Sequence, residues 1–158
     1  MDEQLALLKK NELVDLEGLL GAVRYMKEYP DYVHHPQEDV IFNYYLSKHD
    51  TKKSTIHSLL NEHQTMPPLT DKLSIMLQNA IFSVPQKREE LCAYLEEYID
   101  TQKKHMDFEE ATIYPILRES LTDNDWNQVE DKLKQVDDPL FGNQVETSFK
   151  ELLQQIVS

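Results

Sequence analysis

The chain has 158 residues, only three of them glycine, and its many Leu, Glu, Lys and Gln residues favour one all-α domain over a strand-and-turn fold. A formal net charge of −13 argues against nucleic acids or anionic membrane surfaces as partners, and no apolar run approaches the roughly 20 residues of a membrane span. The single cysteine, Cys92, excludes an internal disulfide and predicts a cytoplasmic protein.

Helical patterns begin at the N-terminus. Residues 3–11 predict a short helix, and residues 15–29 predict an amphipathic helix that Pro30 interrupts. Residues 31–47 resume the helical pattern, with Pro36 placed either near a helix start or at a kink.

The following patterns are longer. A helix is predicted over 54–82, kinked or briefly broken by an internal pair of prolines, and the longest pattern covers 86–119. Thr122 is placed to cap a shorter helix over 123–136, and a last helix is predicted over 144–157. Short connections between long helices indicate a helical bundle.

Polar residues occupy core positions in the longest helix. A seam of residues spaced by three and four positions is expected to face a packed neighbouring helix. The residues of this seam are Leu91, Leu95, Tyr98, Gln102, His105, Glu109, Thr112 and Ile116. His105 and Glu109 stand where apolar residues are expected, and a carboxylate buried alone is costly unless it is paired or bound to a metal. A solvent-exposed face over this part of the helix is the alternative explanation.

The 54–82 helix carries one histidine in a similar seam. The seam consists of Ile56, Leu60, His63, Met66, Thr70, Leu73 and Leu77. A lone histidine in such a seam is commonly a hydrogen-bonded core residue, so His63 by itself does not indicate a metal site.

The stretch HHPQED, residues 34–39, adds a further pair. His34 and Glu38 are four residues apart and share one helix face, which is also the spacing in the longest helix. His35 and Asp39 have the same spacing, and a rotation of about 100° would exchange the two assignments. Taken together, three imidazoles and two carboxylates on three helices suit iron, and zinc or manganese less distinctively.

In these motifs the sequence resembles the hemerythrin-like family of HHE cation-binding domains. The matching stretches are HHPQEDVIF (34–42), LLNEHQTM (59–66) and HMDFEEATIYPIL (105–117). Residues 121–142 resemble the extension of a bacterial branch whose motif is HHPxED, so the resemblance covers residues 15–158. It implies an up-down helical bundle with a truncated first helix and two extra C-terminal helices.

The resemblance also implies a centre of two iron ions held by five residues. These are His34, Glu38, His63, His105 and Glu109. Glu38 and Glu109 would bridge the two ions. Their neighbours are expected to orient the ligating imidazoles or to face solvent, namely His35, Asp39, Glu62 and Glu110.

Two departures from the family pattern affect the expected function. Pro67 stands where oxygen-carrying hemerythrins have a second histidine, which weakens an oxygen-transport role. No histidine precedes His34, so the first-helix ligand is missing and we expect reduced metal occupancy.

The same absence shapes the expected domain organisation. Within a single domain over 1–158, residues 1–14 would be a remnant of the first helix and its loop, 15–119 the bundle core and 120–158 a C-terminal extension. Because a missing helix exposes apolar faces of the others, we expect the groove to be covered by a homodimer, by a swapped element or by the C-terminal helices.

These observations lead to a functional hypothesis. We expect a non-haem di-iron protein that binds or reacts with O2, peroxide or NO, in an oxidative or nitrosative stress response or in iron handling. The alternative is a metal- or oxygen-sensing module without turnover, and a metal-free structural bundle is the third hypothesis. The sequence leaves open whether the protein is an enzyme.

Overall fold

The computed structural model describes residues 1–133 and 136–140. This part of the chain is all-α and has no strand. Helix α1 is Asp2–Lys9, α2 covers 16–48, α3 is Lys53–Ile81, α4 covers 88–120 and α5 is Asp123–Glu130. The all-α helical bundle predicted from the sequence is therefore confirmed.

The C-terminal extension is described only in its first part. Thr122 caps α5 as predicted, with its side chain accepting the N–H of Asp125 and the Asp125 carboxylate accepting the N–H of Thr122. The helix ends at Glu130, earlier than the predicted 136. The last predicted helix, 144–157, lies outside the described residues.

The three long helices α2, α3 and α4 run up, down and up, joined by short connections, with α3 packed against both of the others. The short α1 lies along α4, where Asp2 forms an ion pair with Lys103, and its Leu5 and Leu8 are buried. No helix in the described part of the chain is long and apolar enough to cross a membrane.

Two apolar clusters fill the two ends of the bundle. The first is formed by α1, the start of α2, the end of α3 and the start of α4, and includes Leu5, Leu19, Leu73 and Leu95. The second is formed by the end of α2, the start of α3, the end of α4 and α5, and includes Phe42, Leu59, Ile113 and Val129. A layer of buried polar residues separates the two clusters.

Helices α2 and α4 each contain a π-helical segment beside this polar layer. In α2 the segment is Lys27–His34, between α-helical Leu16–Met26 and His35–Lys48, and it contains Pro30. In α4 it is Glu109–Ile113, between α-helical Arg88–Phe108 and Tyr114–Ser120.

The π segments leave each helix continuous. The N–H of His35 donates to the carbonyl of Pro30, and that of Tyr114 to the carbonyl of Glu109, both five residues back. Each wider turn takes in one residue more than an α-helical turn and so changes the helix phase.

The changed phase corrects part of the predicted seam. On α4 the seam is buried as predicted from Leu91 to Glu109, but from the end of the π segment onward Ile113 and Leu117 are buried in place of Thr112 and Ile116. Helix α3 has no π segment and stays helical through its two prolines, so the predicted break does not occur. Its seam is buried as predicted, except that Leu59 is more deeply buried than Leu60.

Candidate metal site

The polar layer between the two apolar clusters gathers acidic and imidazole side chains from α2, α3 and α4. Its buried members are Asp31, His35, Glu38, His63, Thr70, Gln102, His105 and Glu109. Because α2 and α4 both pack beside α3, one face of each helix points into the same layer. The helical phases therefore bring together residues that are far apart in sequence.

Two overlapping groups within the layer have the spacing of metal ligands. Ligand atoms of His35, His63 and His105 all lie within 4.8 Å of one another, and so do those of Glu38, His63 and Glu109. His63 Nε2 lies 3.8 Å from Glu38 Oε2 and 3.6 Å from Glu109 Oε1, and His105 Nε2 lies 3.3 Å from Glu109 Oε1. The two groups form one continuous cluster with His63 at its centre.

The facing atoms of this cluster lack hydrogen bonds. Among the described residues, no hydrogen-bond partner reaches Nε2 of His63, Nε2 of His105, Oε2 of Glu38 or Oε1 of Glu109, although all four atoms are buried. Buried polar atoms are nearly always satisfied, and carboxylates are costly to bury without a cation. A bound cation would satisfy all four atoms at once, and the mixture of nitrogen and oxygen donors suits iron, zinc or manganese.

Two of the imidazoles are oriented from behind by carboxylates. His63 Nδ1 lies 2.6 Å from Asp39 Oδ1, and His105 Nδ1 lies 3.0 Å from Glu62 Oε2. When Nδ1 carries the proton, it donates a hydrogen bond to the carboxylate, and the lone pair of Nε2 then points into the cluster. This arrangement is common behind metal-bound histidines.

Burial and the close approach of charged groups shift the pKa values of the cluster residues. Burial, followed by the neighbouring His63 and His105, lowers the pKa of His35 to about 3, so this imidazole is neutral at pH 7. Burial and the nearby Glu109 raise the pKa of Glu38 to about 7. Burial alone would lower the pKa of His63, but its contacts with Asp39 and Glu109 outweigh burial and raise the pKa to about 9.

Tyr114 is a member of the site that the sequence analysis missed. Its hydroxyl donates to Glu38 Oε1 at 2.7 Å and lies 3.5 Å from Glu109 Oε2, so it contacts both buried carboxylates. Burial and these acceptors raise the pKa of the Tyr114 hydroxyl. The only signal in the sequence was its position five residues after Glu109, which becomes a shared face only in a π-helical turn.

Of the five predicted ligands, the structure gathers Glu38, His63, His105 and Glu109 in the cluster. The fifth, His34, lies at its edge with 45% of its side chain exposed, and its Nε2 is 3.4 Å from Glu38 Oε2.

His35 occupies the buried position instead, on the face it shares with Glu38. The sequence suggested that either His34 and Glu38 or His35 and Asp39 would face the interior. Neither pairing is observed, because the buried face of α2 carries His35 together with Glu38. Glu110 is exposed, as expected for a residue that faces solvent.

The comparison with protein-family models agrees with this geometry. The model of the hemerythrin HHE cation-binding domain matches residues 1–117, which include every residue of the cluster. No curated protein and no solved structure matches the chain. With most of the chain matched and three imidazoles and two carboxylates gathered between the helices, the chain belongs to the hemerythrin HHE cation-binding domain family.

Proposed function

We propose that the polar layer binds two iron ions, with Glu38 and Glu109 bridging them and His35, His63 and His105 as nitrogen ligands. The observation that carries this proposal is the set of four buried ligand atoms that face one another without hydrogen bonds. The cluster offers two overlapping three-residue groups of potential ligands, and a carboxylate, unlike an imidazole nitrogen, can bind two adjacent ions. His34 stands close enough to Glu38 to be the alternative to His35.

Bound iron would supply redox chemistry and an open position for O2, peroxide or NO. The chain contributes a buried site with few imidazoles, because Pro67 stands one turn after His63, where oxygen-carrying hemerythrins have a second histidine. Carboxylate-rich ligation favours reaction over reversible carriage, so we propose a role in an oxidative or nitrosative stress response or in iron handling. The Tyr114 hydroxyl, which contacts both carboxylates, would hold them in a fixed relation to each other.

Iron binding is tested first by metal analysis. The full chain is reconstituted anaerobically with ferrous iron, desalted and analysed for iron per chain, and its near-ultraviolet ferric absorption is recorded after exposure to air. We expect up to two iron ions per chain in the wild type, fewer if the missing first-helix ligand lowers occupancy, and a clear loss in Glu109→Gln. Glu110→Gln is the matched control, because Glu110 is the adjacent, exposed glutamate on the same helix.

Metal content no higher than in the apo control would overturn the proposal. With iron bound, consumption of peroxide or NO supports reactivity, whereas binding of NO without turnover supports the sensing role. Substrate consumption is therefore measured on the same iron-loaded samples.

We also propose a homodimer in the cytoplasm. Large apolar side chains are exposed at one end of the bundle, where Leu13 is 94% and Phe82 is 76% exposed. Association through this end would remove them from water. Light scattering on a size-exclusion column tests it, and a mass of one chain at every concentration would overturn it.

A further inference from the structure

Asp31 is a buried carboxylate at the site that belongs to none of the sequence motifs. Its side chain is 0% exposed, and neither carboxylate oxygen has a hydrogen-bond partner among the described residues. The nearby hydroxyl of Thr70 lies 3.2 Å from the carbonyl of Met66 and 3.3 Å from the hydroxyl of Tyr98. A carboxylate in such surroundings is costly, so its position needs a reason.

A ring nitrogen of the cluster lies close to Asp31. Asp31 Oδ1 lies 3.6 Å from Nδ1 of His35, which is one turn further along α2 and also lacks a hydrogen bond. A small rotation of the Asp31 side chain would shorten this contact to a hydrogen bond. The π segment places both residues on the inner face of α2, where the α-helical phase would not have placed His35.

The same arrangement occurs behind the other two imidazoles. Each has a carboxylate at Nδ1, at 2.6 Å for His63 and at 3.0 Å for His105. His35 would otherwise be the one histidine of the cluster without such a partner, in the part of the chain that the structure describes.

We propose that Asp31 is a positioning residue of the metal site, which accepts the Nδ1–H of His35 and directs the Nε2 of that ring towards the metal. The inference rests on the proposed metal-binding function and deepens it. The carboxylates behind His63 and His105 are 34% and 39% exposed, whereas Asp31 is fully enclosed. Its carboxylate is therefore the least screened by solvent of the three.

This role has a consequence that a purely structural role would not have. Without metal, Asp31 is a fully buried carboxylate whose two oxygens lack hydrogen bonds among the described residues, so replacing it with an apolar side chain of similar size should not harm the fold. With metal, the loss of the carboxylate should weaken binding. We therefore expect Asp31→Leu to keep or raise the melting temperature of the metal-free protein while lowering its affinity for the metal.

The test uses Zn2+ as a diamagnetic probe on the full chain. Affinity is measured by competition with a chromophoric chelator, the melting temperature is measured in excess chelator, and the His35 ring is observed by nitrogen-detected NMR. We expect affinity to fall about 10–100-fold in Asp31→Leu, with loss of the exchange-protected Nδ1–H resonance. Asp31→Asn keeps an acceptor oxygen and should fall in between. Asp107→Asn, at an exposed site on α4, is the control and should bind as the wild type does.

The outcomes separate the two proposals. If the wild type binds Zn2+ and both Asp31 variants bind equally well with an unchanged His35 resonance, this inference fails and the metal site stands. A parallel fall in metal-free stability and affinity in Asp31→Leu would assign Asp31 a structural role. An equally large loss in both variants with an intact resonance would make Asp31 a ligand itself. A wild type that binds no metal overturns both proposals. Asp31→Asn carries the test if Asp31→Leu does not fold.

Discussion

Removal of the Tyr114 hydroxyl measures how much its hydrogen bonding to the buried carboxylates contributes to the free energy of unfolding. Replacement by phenylalanine removes one oxygen atom and leaves Glu38 Oε1 without the donor that now lies 2.7 Å away. The Glu38 side chain is 8% exposed, so water cannot easily take the place of this donor. The change therefore removes one hydroxyl whose short contact is with Glu38 and whose longer contact, at 3.5 Å, is with Glu109.

The expected cost follows from the charge of that acceptor. A hydrogen bond to a charged group contributes about 1.5–3 kcal/mol, and we expect Tyr114→Phe to lower the free energy of unfolding of the metal-free protein by about 2 kcal/mol at pH 8. For a chain of this size, that loss corresponds to a fall of about 4–8 °C in melting temperature. At pH 5.5, Glu38 is protonated because its pKa is raised to about 7, and the cost should fall to about 1 kcal/mol.

Urea unfolding followed by circular dichroism, in excess chelator at both pH values, measures these changes. Tyr32→Phe is the matched control, because Tyr32 is 59% exposed and its loss should change stability by less than about 0.5 kcal/mol. Equal stability of the two variants at pH 8 would refute the reasoning. A cost of Tyr114→Phe that is the same at both pH values would refute the part that depends on the ionised carboxylate.

Three further predictions test the site and the fold. His35→Ala should weaken Zn2+ binding by more than about tenfold while His34→Ala changes it less, as measured by chelator competition; the reverse order would return His34 to the ligand set. The pKa of His63 is raised to about 9, so its contribution to stability is present at pH 6 and is lost as pH rises towards 9. Urea unfolding should therefore show that the metal-free protein loses stability between pH 7 and 9. Over the same range the affinity for Zn2+ should rise, because His63 loses its proton. Stability that is constant over that range in His63→Gln, with a slope in the wild type, would attribute the effect to this residue. Thr122→Ala should cost about 1 kcal/mol in urea unfolding through the lost α5 cap, and no loss would mean that α5 adds nothing to the stability of the bundle.

Helix α3 shows how far the sequence could be followed without a structure. Its seam from Ile56 to Leu77 keeps an unbroken α-helical period, and His63 is buried within it as predicted. The same periodicity on α4 placed His105 and Glu109 correctly, since both precede or begin the π segment. Polar residues in core phase on separate helices were enough to indicate a metal site.

The π segments set the helix phase at the site, which the sequence pattern did not predict. Prolines mark both of them, with Pro30 inside the first and Pro115 just after the second, and each removes a backbone donor from its helix. A missing donor signals an irregular turn, but it does not tell whether the helix kinks, breaks or widens by one residue. That choice depends on which phase best fills the two apolar clusters around the polar layer.

In HHPQED, therefore, the sequence by itself predicted that a histidine and a carboxylate would share a helix face directed at the bundle interior. The tertiary structure decided which histidine lies on that face. Packing selected the wider turn, which buries His35 beside Glu38 and leaves His34 half exposed at the edge of the site. The same turn brings Asp31 into the interior. The sequence did not predict this, because the burial of a carboxylate depends on neighbours from other helices that no local pattern specifies.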